Sequence, residues 1–460
     1  RPPLHRRIAS AIVERTPSLA ETRPEILAHH YRSAGELRLA GDAWRRAGKL
    51  AAGRGALVEA ERHFRSAAEA LESMEPDAAR NQLDLAVQLE LGQVSIATHG
   101  YTAPETRAAY ERARALIDLG DPRRAVQVLS GLYALPLIGG ELRAARAVAT
   151  EVMVAAKRDG APARLAWAHH LDGVTSYHLG DLERASRSFA NASALYRESD
   201  YRSNPQDPGA ESLDYAALTA WQLGYSDTAR SRAREALALA DRLGKPYAIA
   251  HSRFYAAFLS ALMWDREATR EQTESLRALA RERNIPHFLN AGEILRGWSL
   301  DDDPAAALNI IRDGLDRYVA SGSRLAIGIF LALMAEVQAE AGLYEDARHT
   351  IDDAIDGSAE QVVDMPFLFW LKGELTMREK AGDNAIELAE RCFKEAIGRA
   401  LAIGALGVGL RSATSLARLL HARGFLAEAR SLVADWYGRM REGFDTADAR
   451  AARGLLESMA

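Results

Sequence analysis

The stretch GVTSYHLGDLERASRSFANA, residues 173–192, decides the fold. It places a small residue, Gly173, twelve positions before Ala185, with Phe189 four and Ala192 seven positions after that alanine. Positions i, i+4 and i+7 fall on one face of an α-helix, so the half after the central Gly-Asp turn predicts a helix with a packed apolar face. Small residues on both sides of the turn allow two antiparallel helices to approach closely. The stretch therefore predicts one helix hairpin.

The same pattern recurs along the chain at a spacing of about forty residues. The residues that take the place of Ala185 are Thr106, Ala145, Ala185, Ala229, Ala268, Ala307, Ala347, Ala389 and Ala429. Repetition at such a period is typical of stacked supersecondary units, in which each unit buries its apolar side against the next. The sequence predicts an all-α fold, an α-solenoid of antiparallel helix hairpins.

Turn dipeptides are expected to separate the first helix of a unit from the second. They are Gly41-Asp42, Gly120-Asp121, Gly180-Asp181, Gly224-Tyr225, Gly342-Leu343 and Gly382-Asp383. The longest non-helical link predicted is residues 197–209, where a functional lip and a plain long turn are both open. About ten hairpins are predicted over 25–445, followed by a capping helix over 446–460. The absence of an initiator Met before Arg1 suggests that the chain is a fragment of a longer protein.

Composition restricts the classes of partner. The net charge of −5 and the pI of about 6.2 give no basic field for nucleic acid or anionic lipid. A single cysteine, Cys392, excludes an intramolecular disulfide and favours a reducing compartment, with a buried and inert thiol as the expectation. Neither a membrane-spanning apolar run nor a signal-peptide core is present in the sequence, so a cytoplasmic location is predicted.

The sequence contains no motif with clear catalytic or metal-binding spacing. Its Gly-Lys pairs at 48–49 and 244–245 lack the first glycine and the hydroxyl residue of a phosphate-binding loop. The histidine pairs at 29–30 and 169–170 point to different sides of a helix, and no HExxH or CxxC is present. We therefore predict no catalytic residue, no metal and no cofactor, and keep open an active site hidden in a groove between helices.

The pattern of Gly173, Ala185, Phe189 and Ala192 resembles the tetratricopeptide (TPR) repeat, with a longer period. In a TPR array the first helices line a concave groove, and the resemblance implies which residues face it. Aromatic and arginine side chains there suit peptide or small-ligand recognition, although aromatics at such positions also fill the space between helices. The implied groove residues are Trp167, His170, Tyr177, Asp214, Trp221, Arg253, Arg296, Trp370, Glu374, Arg418 and His421.

Several longer segments resemble one particular family. They are LAHHYRSAG at 27–35 with AWRRAGKLA following, GYTAPE at 100–105, NPQDPG at 204–209, LRGWSL at 295–300 and EGFDTAD at 442–448. Over essentially its whole length the chain resembles the C-terminal TPR region of bacterial proteins that join a class III adenylate/guanylate cyclase to a STAND-type AAA ATPase. The resemblance implies that residues 1–24 end a preceding ATPase or winged-helix segment.

This resemblance implies a non-catalytic sensor or interaction array that regulates the ATPase and cyclase modules of the same polypeptide by binding a protein, a peptide or a small ligand. Related arrays follow the ATPase of maltose-regulator-like transcription factors, so an ATPase-type transcriptional regulator is one alternative. A constitutive scaffold or oligomerisation arm without a ligand is another. No nucleic acid or membrane contact is expected of this chain.

Overall fold

The computed structural model describes residues 2–117, 121–202, 206–379 and 383–459. Within these ranges all regular elements are helices, 24 α-helices and one short 3-10 helix, and no strand is present. The chain divides into two compact units, Arg1–Gly139 with Ser321–Ser323, and Gly140–Ala320 with Arg324–Ala460. The predicted all-α class is confirmed.

The first unit is built from paired helices that surround buried aromatic side chains. Its helices are α1 (Pro2–Arg15), α2 (Pro17–Thr22), α3 (Pro24–Ala34), α4 (Leu37–Gly53), α5 (Leu57–Glu72), α6 (Ala78–His99), α7 (Pro104–Ala115) and α8 (Pro122–Ile138). α4 pairs with α5, and α6 pairs with α7. Trp44 on α4 is buried in one apolar cluster of this unit, and Phe64 on α5 is buried in another.

The second unit is an array of hairpins with one flanking helix at each end. Its helices are α9 (Leu142–Asp159), α10 (Pro162–His178), α11 (Leu182–Leu195), α12 (Pro208–Gln222), α13 (Ser226–Leu243), α14 (Pro246–Leu262), α15 (Arg266–Glu282), α16 (Pro286–Trp298), α17 (Pro304–Ala320), α18 (Ile327–Glu340), α19 (Tyr344–Gly357), α20 (Met365–Arg378), α21 (Asp383–Ile403), α22 (Leu406–Ala422), α23 (Leu426–Gly438) and α24 (Ala447–Ser458). From α10–α11 to α22–α23, each even-numbered helix pairs with the next. α24 packs on α22 and α23.

Eight of the nine periodic small residues lie in the second helix of a pair, as predicted, whereas Ala145 lies in the flanking helix α9. Eight of the nine are buried, and Ala268 is half-buried. The reason for the small residue on the first helix is visible at Gly173. A Cβ atom there would come within 2.5 Å of the ring of Phe189, so glycine is what lets this ring fill the gap between α10 and α11.

Of the four predicted turns that lie within the described residues, three are present and one prediction is wrong. Gly180, Gly224 and Gly342 have positive φ angles of 79°, 85° and 79°, which glycine adopts without strain. Gly41, by contrast, lies inside α4, where an added Cβ would come within 3.1 Å of Leu71, so this glycine serves close packing rather than a turn. Gly120 and Gly382, which belong to two further predicted turns, lie outside the described residues.

The hairpins of the second unit form two layers. The second helices, such as α11 and α15, are amphipathic and bury one face, so they make up an outer layer. The first helices, such as α12 and α22, carry buried residues around most of their circumference. Each first helix contacts the next first helix, from α10 to α22, so these helices form an inner layer.

The inner layer closes on itself, because α12 contacts α22. At this closure the turn glycine Gly180 packs on Val362, and Gly224 packs on Leu406. The backbone amide of Val363 donates to the carbonyl of His178 at 3.3 Å. We call this line of contacts the seam; it joins residues 143–230 on one side to residues 360–445 on the other. Helix pairs that are distant in sequence are therefore neighbours within this unit.

The predicted long link at 197–209 contains the 3-10 helix Glu198–Tyr201, and residues 203–205 lie outside the described part. Its end is well anchored. Asp207 is wholly buried and accepts hydrogen bonds from the amides of Gly209 and Ala210 at the start of α12. Nζ of Lys245 contacts the other Asp207 oxygen at 3.0 Å and the carbonyl of Tyr201 at 2.7 Å. These contacts fix Asp207 at the buried start of α12.

Candidate functional site

A cluster of buried polar side chains lies where α10, α12 and α14 meet, next to the end of the 197–209 link. Its members are His170, Glu211, Ser212, Asp214, His251 and Ser252, and none is more than 6% exposed. Buried charges are expensive unless they are paired and hydrogen-bonded. We call this group the polar cluster.

Half of the polar cluster has the layout of a nucleophile, a base and an orienting carboxylate. Nδ1 of His170 lies 3.0 Å from Oγ of Ser212, and Nε2 lies 3.4 Å from a Glu211 carboxylate oxygen. The other oxygen of Glu211 accepts from the Asp207 amide at 3.1 Å. Serine hydrolases use this order of groups, but they need the hydroxyl to face a substrate. Ser212 is wholly buried, so its position suits packing and hydrogen bonding rather than nucleophilic attack.

The other half of the polar cluster is an ion pair. Nδ1 of His251 lies 2.8 Å from Asp214, whose same oxygen also accepts from the Ser252 hydroxyl at 2.8 Å. Burial alone lowers the pKa of His251, but the charges of Glu211 and Asp214 raise it, and the net shift is upward. Burial likewise opposes the charge of Glu211, and the nearby histidines bring its pKa below the usual value. Burial, with a contribution from the charge of Glu211, raises the pKa of Asp214, so the surroundings favour the charged forms of His251 and Glu211 but not that of Asp214.

A second cluster surrounds the guanidinium group of Arg411 on α22. Its Cζ lies 4.9 Å from the ring centroid of Trp370, 5.5 Å from that of Trp264 and 6.0 Å from that of Trp221. Nε and Nη2 bind the carboxylate of Asp448 on α24 at 2.9 and 2.8 Å. Arg411 is 5% exposed, so its charge is held by aromatic faces and one carboxylate inside the protein. We call this group the tryptophan cluster.

Trp264 occupies a turn position that glycine fills in other hairpins. Its φ of 64° lies in the left-handed region, like those of Gly180 and Gly224 at the equivalent turns. For a residue with a side chain, this conformation costs roughly 1–2 kcal/mol. The turn thereby directs an indole ring toward Trp298 and Trp370, at centroid distances of 5.3 and 5.2 Å.

Five of the eleven predicted groove residues are buried in these two clusters or beside them. His170 and Asp214 belong to the polar cluster, Trp221 and Trp370 to the tryptophan cluster, and Tyr177 packs edge-on against Tyr215. These five side chains fill space between inner helices, the alternative role of aromatic and polar residues at such positions. A ligand can reach them only if the inner helices separate.

The other six predicted residues are accessible to different degrees. Trp167, Arg253, Arg296, Glu374 and His421 are half-buried, and Arg418 is exposed. Arg418 and His421 share α22, whereas Arg253 and Arg296 lie on α14 and α16 and are engaged by neighbours within the unit. Glu374 accepts from Ser415, which in turn accepts from the indole nitrogen of Trp370. The structure thus joins Glu374 to the tryptophan cluster and leaves Arg418 and His421 on the surface.

Sequence reasoning missed Glu211, Ser212, His251, Trp264 and Arg411. A charged residue inside a helix is normally assigned to the solvent side, and nothing in one sequence marks it as buried. One signal was available: the turn at Trp264 lacks the glycine present at the turns of Gly180, Gly224 and Gly342.

The first unit carries an open recess of about 320 Å³ on its surface. It is lined by Val58, Glu61, Arg62, Arg65, Ser66, Glu69 and His99. Glu61 is 7% exposed and accepts from Arg65 at 2.6 Å and contacts Nε2 of His99 at 2.9 Å. The charges at the floor of this recess are therefore already paired.

Two kinds of feature are absent from the described ranges. No three His, Cys, Asp or Glu side chains there converge closely enough to hold a metal ion. None of the helices described is both long and apolar enough to cross a bilayer.

Comparison with known proteins yields distant structural likenesses. No family model matches the chain, and no curated protein matches it. The apo form of RapI has a TM-score of 0.40 and 15% identity, and the match covers 64% of this chain and 99% of that one. A Rap protein complexed with competence and sporulation factor has a TM-score of 0.41 and 14% identity, over 92% and 97% of the two chains. A monomeric IFIT1 mutant with Gppp-AAAA has a TM-score of 0.43 and 13% identity, over 100% and 94%. At these scores the fold assignment rests on the helix pairs of the chain itself.

Proposed function

We propose that this chain is a non-catalytic interaction and sensor array that regulates the ATPase and cyclase modules of a bacterial signalling protein. The full burial of Ser212 carries the non-catalytic part of the proposal. Its hydroxyl, His170 and Glu211 have the layout for acyl transfer, yet they bind one another in a closed interior. The regulatory part rests on the sequence resemblance, in particular on the EGFDTAD segment.

A partner would then bind to the accessible side chains of the hairpins. Arg418 and His421 offer a cation and a titratable ring, three positions apart on α22, so they lie on neighbouring surface positions of one helix. A guanidinium group and a ring side by side suit a carboxylate-bearing peptide or small molecule. We therefore place the first contact of a protein, peptide or small ligand at this part of α22.

A thermal-shift screen of the purified chain against peptides and metabolites tests the sensor function. A ligand at 100 times its dissociation constant adds roughly 2.7 kcal/mol of stability. We expect that Arg418→Glu abolishes the shift of any active ligand. The matched control is Arg234→Glu, an exposed arginine of the outer helix α13, which should leave the shift unchanged. If no carboxylate-bearing compound in the panel raises the melting temperature, the result contradicts the sensor role proposed for α22.

The genomic reading frame tests the regulatory context. We expect it to encode a phosphate-binding-loop ATPase before Arg1 and a cyclase domain further upstream. A DNA-binding output domain in its place would transfer the proposal to an ATPase-type transcriptional regulator. A frame without an ATPase would overturn the regulatory part.

A further inference from the structure

The segment Glu442–Asp448, the EGFDTAD motif, holds one end of the seam. The two carboxylate oxygens of Glu442 accept from the amide and the hydroxyl of Thr228, at 2.8 and 3.1 Å. Thr228 lies in the first turn of α13, where backbone amides lack partners within the helix, so Glu442 caps a helix more than 200 residues away in sequence. The amide of Gly443 donates to Asp227 at 3.0 Å. We call this segment the clasp.

The clasp continues into the tryptophan cluster. Thr446 caps the start of α24, since its hydroxyl accepts from the Ala449 amide at 3.3 Å. Two residues later Asp448 binds Arg411, whose Nη2 also donates to the carbonyl of Leu262 at 3.0 Å. One short segment therefore fixes α13, α24, α22 and the end of α14 together.

Packing beside the clasp is incomplete. A cavity of about 30 Å³ lies there, with Trp221, Gly407, Trp436 and Asp448 among its lining residues. Among the described residues, no hydrogen-bond partner contacts Nη1 of Arg411, although this atom is buried. Unfilled space and an unpaired buried donor both lower the free energy needed to open an interface.

The seam includes the buried ring of Trp221, 6.0 Å from Cζ of Arg411 on α22, but other contacts across it involve small or polar groups. These contacts include glycines against apolar side chains, such as Gly224 against Leu406, and polar groups at the clasp. The Arg230–Asp445 pair of the clasp is solvent-exposed, at 40% and 75% for the two side chains, and an exposed pair contributes little. Regions with few buried apolar contacts open at lower free energy than the rest of a protein.

We propose that the seam is a two-state element that opens as a unit, and that the clasp stabilises its closed state. Opening separates α12 from α22 and exposes Trp221 and Trp370, two of the residues that the sequence placed on a ligand-facing surface. A ligand that binds the open seam more tightly than the closed one shifts this equilibrium. The role of the seam in signalling rests on the proposed function, whereas its opening is a property of the chain alone.

Hydrogen exchange of the intact chain, measured by mass spectrometry, tests the proposal. In Glu442→Ala, which removes both hydrogen bonds to Thr228, amides of 226–232 and 442–449 should exchange about fivefold faster, the factor that corresponds to loss of one helix cap. Amides of 178–182 and 360–365, at the far end of the seam, should accelerate with them. Amides of α16 and α18 should keep their wild-type rates.

A second variant and a matched control make the result decisive. Thr228→Val keeps the shape of the side chain and removes one donor, so it should give a smaller effect with the same regional pattern. Glu390→Ala removes a carboxylate that pairs with Arg423 on the same unit, away from the clasp, and should leave the seam unchanged. Faster exchange confined to 442–449, unchanged exchange, or a uniform rise in both clasp variants would each overturn the proposal. None of these results bears on the ligand screen, so the two proposals fail separately.

Discussion

Arg411 and Asp448 form a bidentate ion pair between the last inner helix, α22, and the C-terminal helix α24, with N–O distances of 2.9 and 2.8 Å. The side chains differ in accessibility: Arg411 is 5% exposed and Asp448 is 23% exposed. The arginine depends on its partner because it cannot reach water, while the aspartate remains partly hydrated. The two residues should therefore respond differently to substitution.

Asp448→Asn should destabilise the protein by about 3 kcal/mol, because it leaves a buried guanidinium group without a countercharge. Arg411→Met should cost about 1 kcal/mol, since methionine fills the space between the indole rings and the remaining carboxylate is partly solvated. Urea unfolding followed by tryptophan fluorescence measures both values. The double variant should cost less than the sum of the single ones. Equal costs, or simple additivity, would contradict this account of the pair.

Gly173 and Phe189 provide a second test, on a contact that the sequence pattern predicted. Gly173→Ala should destabilise by about 1–3 kcal/mol, because the new methyl group overlaps the buried ring. Gly398→Ala is the matched control: this glycine lies inside α21 with open space around it, so alanine should stabilise by about 0.5–1 kcal/mol. In the same unfolding experiment, the two substitutions should change the free energy of unfolding in opposite directions. A stabilising Gly173→Ala would show that the gap between α10 and α11 is wider than described.

The fold could be predicted from the sequence because it depends on local, repeated patterns. The small residue Ala185 and the ring of Phe189 indicate which face of the helix is packed. The recurrence of this face along the chain indicates that the hairpins stack on one another. Gly41 shows the limit of such reasoning, since a glycine before aspartate looks the same in a turn and in a tight helix crossing. Only the path of neighbouring helices separates the two.

The candidate sites could not be predicted because they depend on the closure of the inner layer. Nothing in the sequence brings Arg411 to Trp221, since their contact follows from how α12 and α22 meet far apart in the chain. The same closure buries Tyr177 and Trp370, which an open TPR groove would present to a ligand. The EGFDTAD segment stood out by its resemblance to one family, but its role as a clasp needed the position of Thr228.

The buried layout of Ser212, His170 and Glu211 leads to a direct chemical prediction. A fluorophosphonate probe, which modifies active serines of hydrolases, should leave Ser212 unmodified in the folded chain, because the hydroxyl is wholly buried. Intact-mass measurement after incubation checks the result. Ser212→Ala should lower stability by about 1 kcal/mol through the lost hydrogen bond to His170. Stoichiometric labelling that is lost in Ser212→Ala would revive an enzymatic function.

Glu336 on α18 should make stability fall as the pH rises through neutrality. The side chain is 2% exposed, accepts from the indole nitrogen of Trp298 at 2.6 Å and lies 3.8 Å from both Arg266 and Arg378. Burial outweighs these favourable contacts, with a small contribution from Glu340, and raises the pKa of Glu336 to about 7 from an ordinary value of 4.5. Between these two pH values the folded chain holds a proton that the unfolded chain has released, so the free energy of unfolding decreases with pH.

Glu336→Gln removes this titration and keeps an acceptor for Trp298. Relative to wild type, the variant should gain about 2.5 kcal/mol in the free energy of unfolding between pH 5 and pH 8, in the direction that favours the variant at the higher pH. Glu390→Gln is a control at a carboxyl group whose pKa is shifted in the opposite direction in the folded protein. Its hydrogen bonds to Lys394 and Arg423 lower the pKa of Glu390, so its substitution should cost nearly the same at pH 5 and pH 8, and the cost should vanish only at more acidic pH. Urea titrations at the two pH values measure the difference. A Glu336→Gln variant whose stability relative to wild type is independent of pH would show that this carboxyl group is already ionised at pH 5 in the folded protein.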